Sequence, residues 1–302
     1  MKTKQSKTKA PVPVVQGESF TITAKEMEET YKRYIQTTQK AKKKRNRRRK
    51  QNIFFDRGPI CIVCASDFHI GSENTDMARL DADIELINKT PGMYLGIHGD
   101  VLDNYIVGRL ALLNMGRDNS IKTEWELATY FLKKASPKLL WNVSGNHDNW
   151  TTKVSGLDFL ADTISHIKKN VLYHSDQLYF TVTAGKVVYR FLVRHKWRGN
   201  SQWNPLHAIW KHPKFDDKPF DVGIGGHTHA SGVYGTFNHN GQASLGILSG
   251  AYKRDDSFAV EQGFPAPNDK CAIAVILDDK GNKFACDSLE AAADYMGALY
   301  HD

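Results

Sequence analysis

Unbroken apolar runs of strand length alternate with longer stretches of helical period through most of the chain. Pro59 to Ser66 is a continuous apolar run, and Met93 to His98, Lys138 to Val143, Asp221 to Gly225, Ala243 to Ser249 and Ala272 to Leu277 read as further buried strands, with another at Ser231 to Phe237. Asp76 to Lys89, Tyr105 to Met115, Ile121 to Ala135 and Leu157 to Lys169 instead place apolar residues at helical spacing. Gln177 to Thr183 and Val187 to His195 flank Ala184-Gly185-Lys186, which predicts a hairpin. Strands alternating with helices, followed by a strand-rich half, predict an α/β fold in which two sheets are covered by helices. No segment repeats another.

Charge divides the chain where periodicity does not. Residues 1–50 hold 16 Lys and Arg against 4 Asp and Glu, a net of +12, whereas residues 51–302 hold 25 against 29, a net of −4, which together make the overall +8. The basic character therefore belongs to an N-terminal arm, 1–50, and the remainder, 51–302, is a mildly acidic body. Within the arm, Thr23 and Glu26 fit a capping box, and Met27, Tyr31, Tyr34 and Ile35 follow at i, i+4, i+7 and i+8, predicting a helix from about residue 24. The helix runs into Lys42-Lys43-Lys44-Arg45-Asn46-Arg47-Arg48-Arg49-Lys50. Such a run repels itself and releases counterions on meeting phosphates, so nucleic acid is the partner it suits; a solvated tail or a docking arm for an acidic partner is the plainer alternative. No apolar run approaches the roughly 18 to 20 residues of a spanning helix, so no membrane partner is expected. Four cysteines make a poor disulfide framework, and a cytoplasmic location is the expectation.

Candidate chemistry collects where the strands end. The first strand leads into Asp67-Phe68-His69, the second into Gly99-Asp100, and the third into Gly145-Asn146-His147-Asp148. The hairpin ends in His195, and a later strand leads into Gly226-His227-Thr228-His229. In α/β sheets, sites assemble at the carboxyl ends of strands. Imidazole and carboxylate without thiolate suit catalytic cations such as Mn, Fe, Zn or Ni rather than a structural zinc knuckle. On an extended backbone, Asp-x-His and His-x-His would turn both side chains to one cavity, and a carboxylate such as Asp100 can bridge two cations about 3.5 to 4 Å apart. Taken singly, each motif is commonplace; the ordered set is not.

This ordered set resembles the calcineurin-like metallophosphoesterase superfamily, whose pattern is D-x-H, GD, GNH-D/E, H and GH-x-H, from Asp67 to His229. The resemblance implies a four-layer fold, a β-sandwich of two mixed sheets flanked by helices. It also implies two divalent ions, Mn2+ before Fe, Zn, Ni or Mg. Asp67, His69, Asp100 and His229 would hold one ion, and Asp100, Asn146, His195 and His227 the other. His147 would protonate the leaving oxygen, with Asp148 and Asp103 as candidates for orienting it. The expected activity is hydrolysis of phosphate esters, foremost as a phosphodiesterase or nuclease. A phosphomonoesterase on phosphoprotein or nucleotide, or a nucleic-acid-binding protein with a structural metal site, are the alternatives.

Beyond His195, Lys196 to His207 combines cationic, amide and aromatic groups. Arg198 can fork onto a phosphate, Asn200 can donate to one, and Trp197 or Trp203 can stack on a base, unless the tryptophans simply pack against the body. An Arg-Gly-Asn-Ser followed by Asn-Pro-x-His is similar to bacterial and phage members described as DNA-repair-exonuclease-like, which implies the cytoplasm of a bacterial or phage-infected cell. Cys61 and Cys64, three apart on a strand, should face opposite sides as core residues.

Overall fold

The computed structural model describes residues 23–47, 51–108, 111, 120–199, 201, 203–214, 219–254 and 270–300. The chain divides into two units, residues 1–48 and 49–302. The first contributes one long helix, α1 (Ala24–Arg47). Its start is fixed by the capping box: the Glu26 carboxylate accepts from the Thr23 backbone N–H at 2.8 Å, and the Glu26 N–H donates to Thr23 Oγ1 at 3.3 Å.

The second unit is a sandwich. In chain order it contains β1 (Asn52–Phe55), β2 (Ile60–Ala65), α2 (Met77–Lys89), β3 (Met93–His98), α3 (Ile121–Ala135), β4 (Leu139–Val143), α4 (Asp148–Ser155) and α5 (Phe159–Ile167). There follow β5 (Leu172–His174), β6 (Gln177–Ala184), β7 (Val187–Arg194), α6 (His207–Lys211), β8 (Val222–Gly225), β9 (Val233–His239), β10 (Gln242–Leu248), β11 (Ile273–Leu277), β12 (Lys283–Cys286) and α7 (Leu289–Leu299). One six-stranded sheet has the order β12-β11-β2-β3-β4-β5 and the other β1-β6-β7-β8-β10-β9. Both are mixed: β2, β3, β4 and β5 are parallel and β11 joins antiparallel, while β7, β8 and β10 are parallel beside the β6–β7 hairpin.

Burial explains the layering. Every residue of β2 is buried, as its continuous apolar run requires of a strand covered on both faces. Ile62 and Cys64 enter the core between the sheets with Trp141, Phe180, Phe191 and Ile224. Cys61 and Val63 enter the core beneath α2, α3, α5 and α7, so the two cysteines part as their spacing predicts. On the other sheet's outer face, Leu192 and Leu248 pack against Ile209 of α6, Trp197 and Phe220. The result is the four-layer α/β sandwich expected.

Three helices, α4, α6 and α7, have no counterpart among the expected elements, and the other differences fall in short or irregular segments. β1, β5 and β12 have only three or four residues each, too few to show a period. Of the helix expected over Tyr105 to Met115, residues 105–108 are not helical, and most of the remainder lies outside the described residues. Asn104, at φ +49°, turns the chain there. Among the described residues, no helix is long and apolar enough to cross a membrane.

Candidate metal centre

Parallel neighbours deliver the motif residues together. The carboxyl ends of β2, β3 and β4, adjacent in one sheet, lead to Asp67 and His69, to Asp100, and to Asn146 and His147. In the other sheet, β7 and β8 are parallel neighbours that end at His195 and at His227 and His229. Ligand atoms of Asp67, His69, Asp100 and His229 lie within 4.8 Å of one another, as do those of Asp100, His195 and His227. Asp100 belongs to both groups.

The local backbone differs from the extended one that the spacing implied. Asp67 (φ 55°), His69 (49°), Asp100 (50°), His227 (76°) and His229 (50°) are all left-handed. Alternate side chains thus reach one cavity through tight turns rather than through the pleat of a strand. Asp, Asn and His tolerate this region better than most residues, so the same side chains supply both the turn and the donor atom. Two motif glycines clear space for it: a Cβ on Gly145 would lie 2.0 Å from Asp100 Oδ1, and one on Gly226 would lie 2.6 Å from Asp67 Oδ2.

Hydrogen bonds behind these side chains set which atoms face inward. His69 Nδ1 meets Asp103 Oδ1 at 2.9 Å, and His195 Nδ1 donates to the His98 carbonyl at 3.0 Å; each leaves its Nε2 for the cavity. His98 in turn donates Nε2–H to the Gly225 carbonyl at 3.0 Å, tying the two sheets together beneath the site. Asp67 Oδ2 accepts from Ser66 Oγ at 2.5 Å and the His227 N–H at 2.9 Å, while Asp100 Oδ1 accepts from the His147 N–H at 2.9 Å. Asp100 Oδ2 then lies 3.0 Å from His195 Nε2 and 3.8 Å from His69 Nε2, so one oxygen stands between the two imidazoles. His229 Nε2 lies 2.9 Å from His69 Nε2 and 3.2 Å from Asp67 Oδ1.

The electrostatics are those of a buried charge cluster. Burial opposes ionisation of Asp67 and Asp100, but surrounding imidazoles, His195 first, outweigh it and hold both carboxyls well below the usual range. Burial likewise opposes a charge on His195, yet Asp100 and Asp67 push it up to about 10. Burial keeps His69 and His98 neutral, both down to about 4.

Asp67 Oδ1, Asp100 Oδ2, Asn146 Oδ1 and His195 Nε2 are all buried without a hydrogen-bond partner in the protein. Asp100 Oδ2 and His195 Nε2 lie 3.0 Å apart, and Asp67 Oδ1 lies 3.2 Å from His229 Nε2. One such orphan costs roughly 1–3 kcal/mol, and four drawn from the strand-end motifs fit cations as their shared partners. The mixed nitrogen and oxygen set suits Mn, Fe, Zn or Ni.

The remaining predicted residues fall into three groups. Asp103 acts twice: its carboxylate binds His69, and its backbone carbonyl meets His147 Nδ1 at 2.5 Å. Asp148 does not orient His147 through its side chain, contrary to expectation. Its oxygens accept the Leu102 and Gly145 N–H groups at 3.0 and 2.8 Å, and burial together with the Asp100 charge raises its carboxyl to about 7. In the segment beyond His195, Trp197 is buried with Nε1–H donating to the Ile224 carbonyl at 2.8 Å, so it packs rather than stacks on a ligand. Trp203 is 96% exposed and Arg198 is exposed, while Asn200 lies outside the described residues.

Sequence reasoning missed Lys253. Its buried Nζ lies 3.2 Å from Asp103 Oδ1 and 3.3 Å from Tyr105 Oη. The His147 ring lies 4.0 Å from that of Trp150, 5.4 Å from that of Tyr105 and 4.6 Å from that of His69. Asn104 Nδ2 also donates to the His147 carbonyl at 2.7 Å. No motif signals Lys253, because its partner Asp103 is far away in sequence.

Neither a protein-family model nor a curated protein matches the chain. Among solved structures it is similar to Vps29 of Chaetomium thermophilum, at TM-score 0.34 and 13% identity, over 75% of this chain and 93% of that one. It is also similar to the nuclease MPE of Pseudomonas putida, at TM-score 0.36 and 12% identity over 74% and 87%. A third is GAP50, the anchor in the inner membrane complex of Plasmodium, at TM-score 0.43 and 10% identity over 75% and 83%. The two mixed sheets with their flanking helices agree with the fold that the sequence resemblance implies, and the ordered motif residues gather at strand ends.

Because Asp100 faces both groups, Asp100→Asn should weaken Mn2+ binding at both positions. Isothermal titration should show a loss at each beyond the roughly 10- to 100-fold typical of removing an outer partner. Loss at only one position would show that the carboxylate is not shared.

Proposed function

We propose that this chain is a dimetal hydrolase of phosphate esters, a phosphodiesterase or nuclease acting on nucleic acid. The observation that carries the reading is the placement of Asp100 Oδ2 between His195 and His69, with the His147 ring 4.6 Å from that of His69. Asp67, His69, Asp100 and His229 would hold one divalent ion, and Asp100, Asn146, His195 and His227 the other. When bound, such ions polarise the phosphoryl oxygens and make water a nucleophile at neutral pH.

The protein's own groups do the rest. Asp103 and the His98 carbonyl keep the Nε2 atoms of His69 and His195 turned inward. The Asp103 carbonyl holds the hydrogen of His147 on Nδ1, which leaves Nε2 as the atom that takes up a proton, for example from the attacking water, and passes it to the departing alkoxide. Trp150 and Tyr105 flank that ring and limit its rotation. The arm, residues 1–50, supplies charge that attracts a polyanion.

Two variants test these assignments. His147→Ala should keep its metal content while Mn2+-dependent hydrolysis of phosphodiesters slows by about 100- to 10,000-fold, most for poor leaving groups. Unchanged turnover with an alkyl leaving group would remove His147 from the reaction, and activity on neither aryl monoesters nor diesters in the metal-loaded protein would refute the hydrolase itself. Deleting residues 1–50 should leave aryl-diester turnover near wild type but weaken oligonucleotide binding and flatten its salt dependence. Equal binding by the two chains would refute the role of the arm.

A further inference from the structure

Beside the metal-ligand cluster lies a second feature that the strand-end motifs do not use. A cleft of about 560 Å³ opens against it, with Asn146 and His195 in its wall but not His147. Three cationic side chains line it: Lys153 from the last turn of α4, Arg194 from the end of β7, and Lys196 directly after His195. Among the described residues of its wall, Asp176 is the carboxylate that faces them, and it accepts a hydrogen bond from Ser175 Oγ at 3.1 Å. We propose that this cleft binds the sugar–phosphate backbone of a nucleic acid strand, taking the phosphate next to the scissile ester. The assignment deepens the phosphodiesterase reading and rests on it.

Charge and placement favour a polynucleotide. A phosphomonoester, or a small aryl ester, brings one phosphorus to the cations and has nothing to offer a neighbouring basic cleft. A polynucleotide necessarily presents a second phosphate beside the first. Two of the cationic groups are exposed lysines, able to neutralise it without leaving solvent. The third is held in place: the Arg194 guanidinium lies 5.1 Å from the centroid of the Trp197 ring, and Trp197 is itself fixed by its bond to the Ile224 carbonyl. Among the described residues, none that lines the cleft is a Phe, Tyr or Trp able to stack on a base, so it grips the backbone and is indifferent to sequence.

The test measures binding by the full-length chain in the presence of a chelator, where no cleavage occurs. A fluorescent thymidine oligonucleotide is titrated at several salt concentrations by anisotropy. Lys153→Ala/Lys196→Ala should bind more weakly, with the slope of log K against log salt reduced by about 1.4, roughly 0.7 for each lysine that no longer neutralises a phosphate of the single strand. The exposed lysines of α2 and α3 supply the control, and Lys89→Ala/Lys122→Ala should keep the wild-type slope. A thermal midpoint matching wild type shows that each variant folds. An unchanged slope in the cleft variant, or an equal reduction in the control, overturns the proposal. Hydrolysis of a bis-aryl phosphodiester by the Mn2+-loaded wild type separates the two failures: with hydrolysis and an unchanged slope only the cleft assignment falls, whereas without hydrolysis the phosphodiesterase reading falls first.

Discussion

The structure depends on keeping ionisable groups buried between two sheets, and the carboxylate of Asp100 is where that demand is sharpest. One oxygen is satisfied by the His147 backbone, and the other stands between two imidazoles that approach it from opposite sheets. A lone buried carboxylate would take up a proton rather than bear the desolvation cost. Here imidazoles, His195 first, pull its carboxyl below the usual range, and it pushes His195 up in turn. The polar backing follows from the same demand: Asp103 behind His69, the His98 carbonyl behind His195, and Ser66 and the His227 amide on Asp67.

Bringing these groups together strains the backbone. Left-handed conformations at Asp67, His69, Asp100, His227 and His229 each work against the preference of an L residue, and such strain persists only where surrounding structure fixes it. The surroundings here are rigid, because β2 and β3, whose ends lead into three of the five, lie in the buried middle of their sheet. Gly145 and Gly226 complete the arrangement by leaving room where any Cβ would displace a carboxylate. A strained, preorganised edge on a stiff sandwich has its geometry set before a ligand arrives, which is what electrostatic catalysis in the proposed reaction requires.

The residues that meet at this edge were legible because each follows an apolar strand within a few positions, so the fold brings near what the motifs already mark. Their backbone was not legible. Alternation along an extended chain led to the right pair of side chains in Asp67 and His69 through the wrong conformation. Residues acting from a distance were less visible still: Lys253 meets Asp103 across most of the body, and Asp148 is spent on the Gly145 and Leu102 amides although its place beside His147 pointed to the imidazole. The two tryptophans after His195 part company for the same reason. Trp197 finds the Ile224 carbonyl in the core and Trp203 stays in solvent, a distinction set by tertiary packing that composition does not record.

Anomalous diffraction from crystals grown with Mn2+ tests the central claim most directly. The account predicts two peaks about 3.5 to 4 Å apart with the Asp100 carboxylate between them, one beside His69 and His229 and the other beside His195 and His227. A single peak, or peaks bound elsewhere on the body with none touching Asp100, would contradict it.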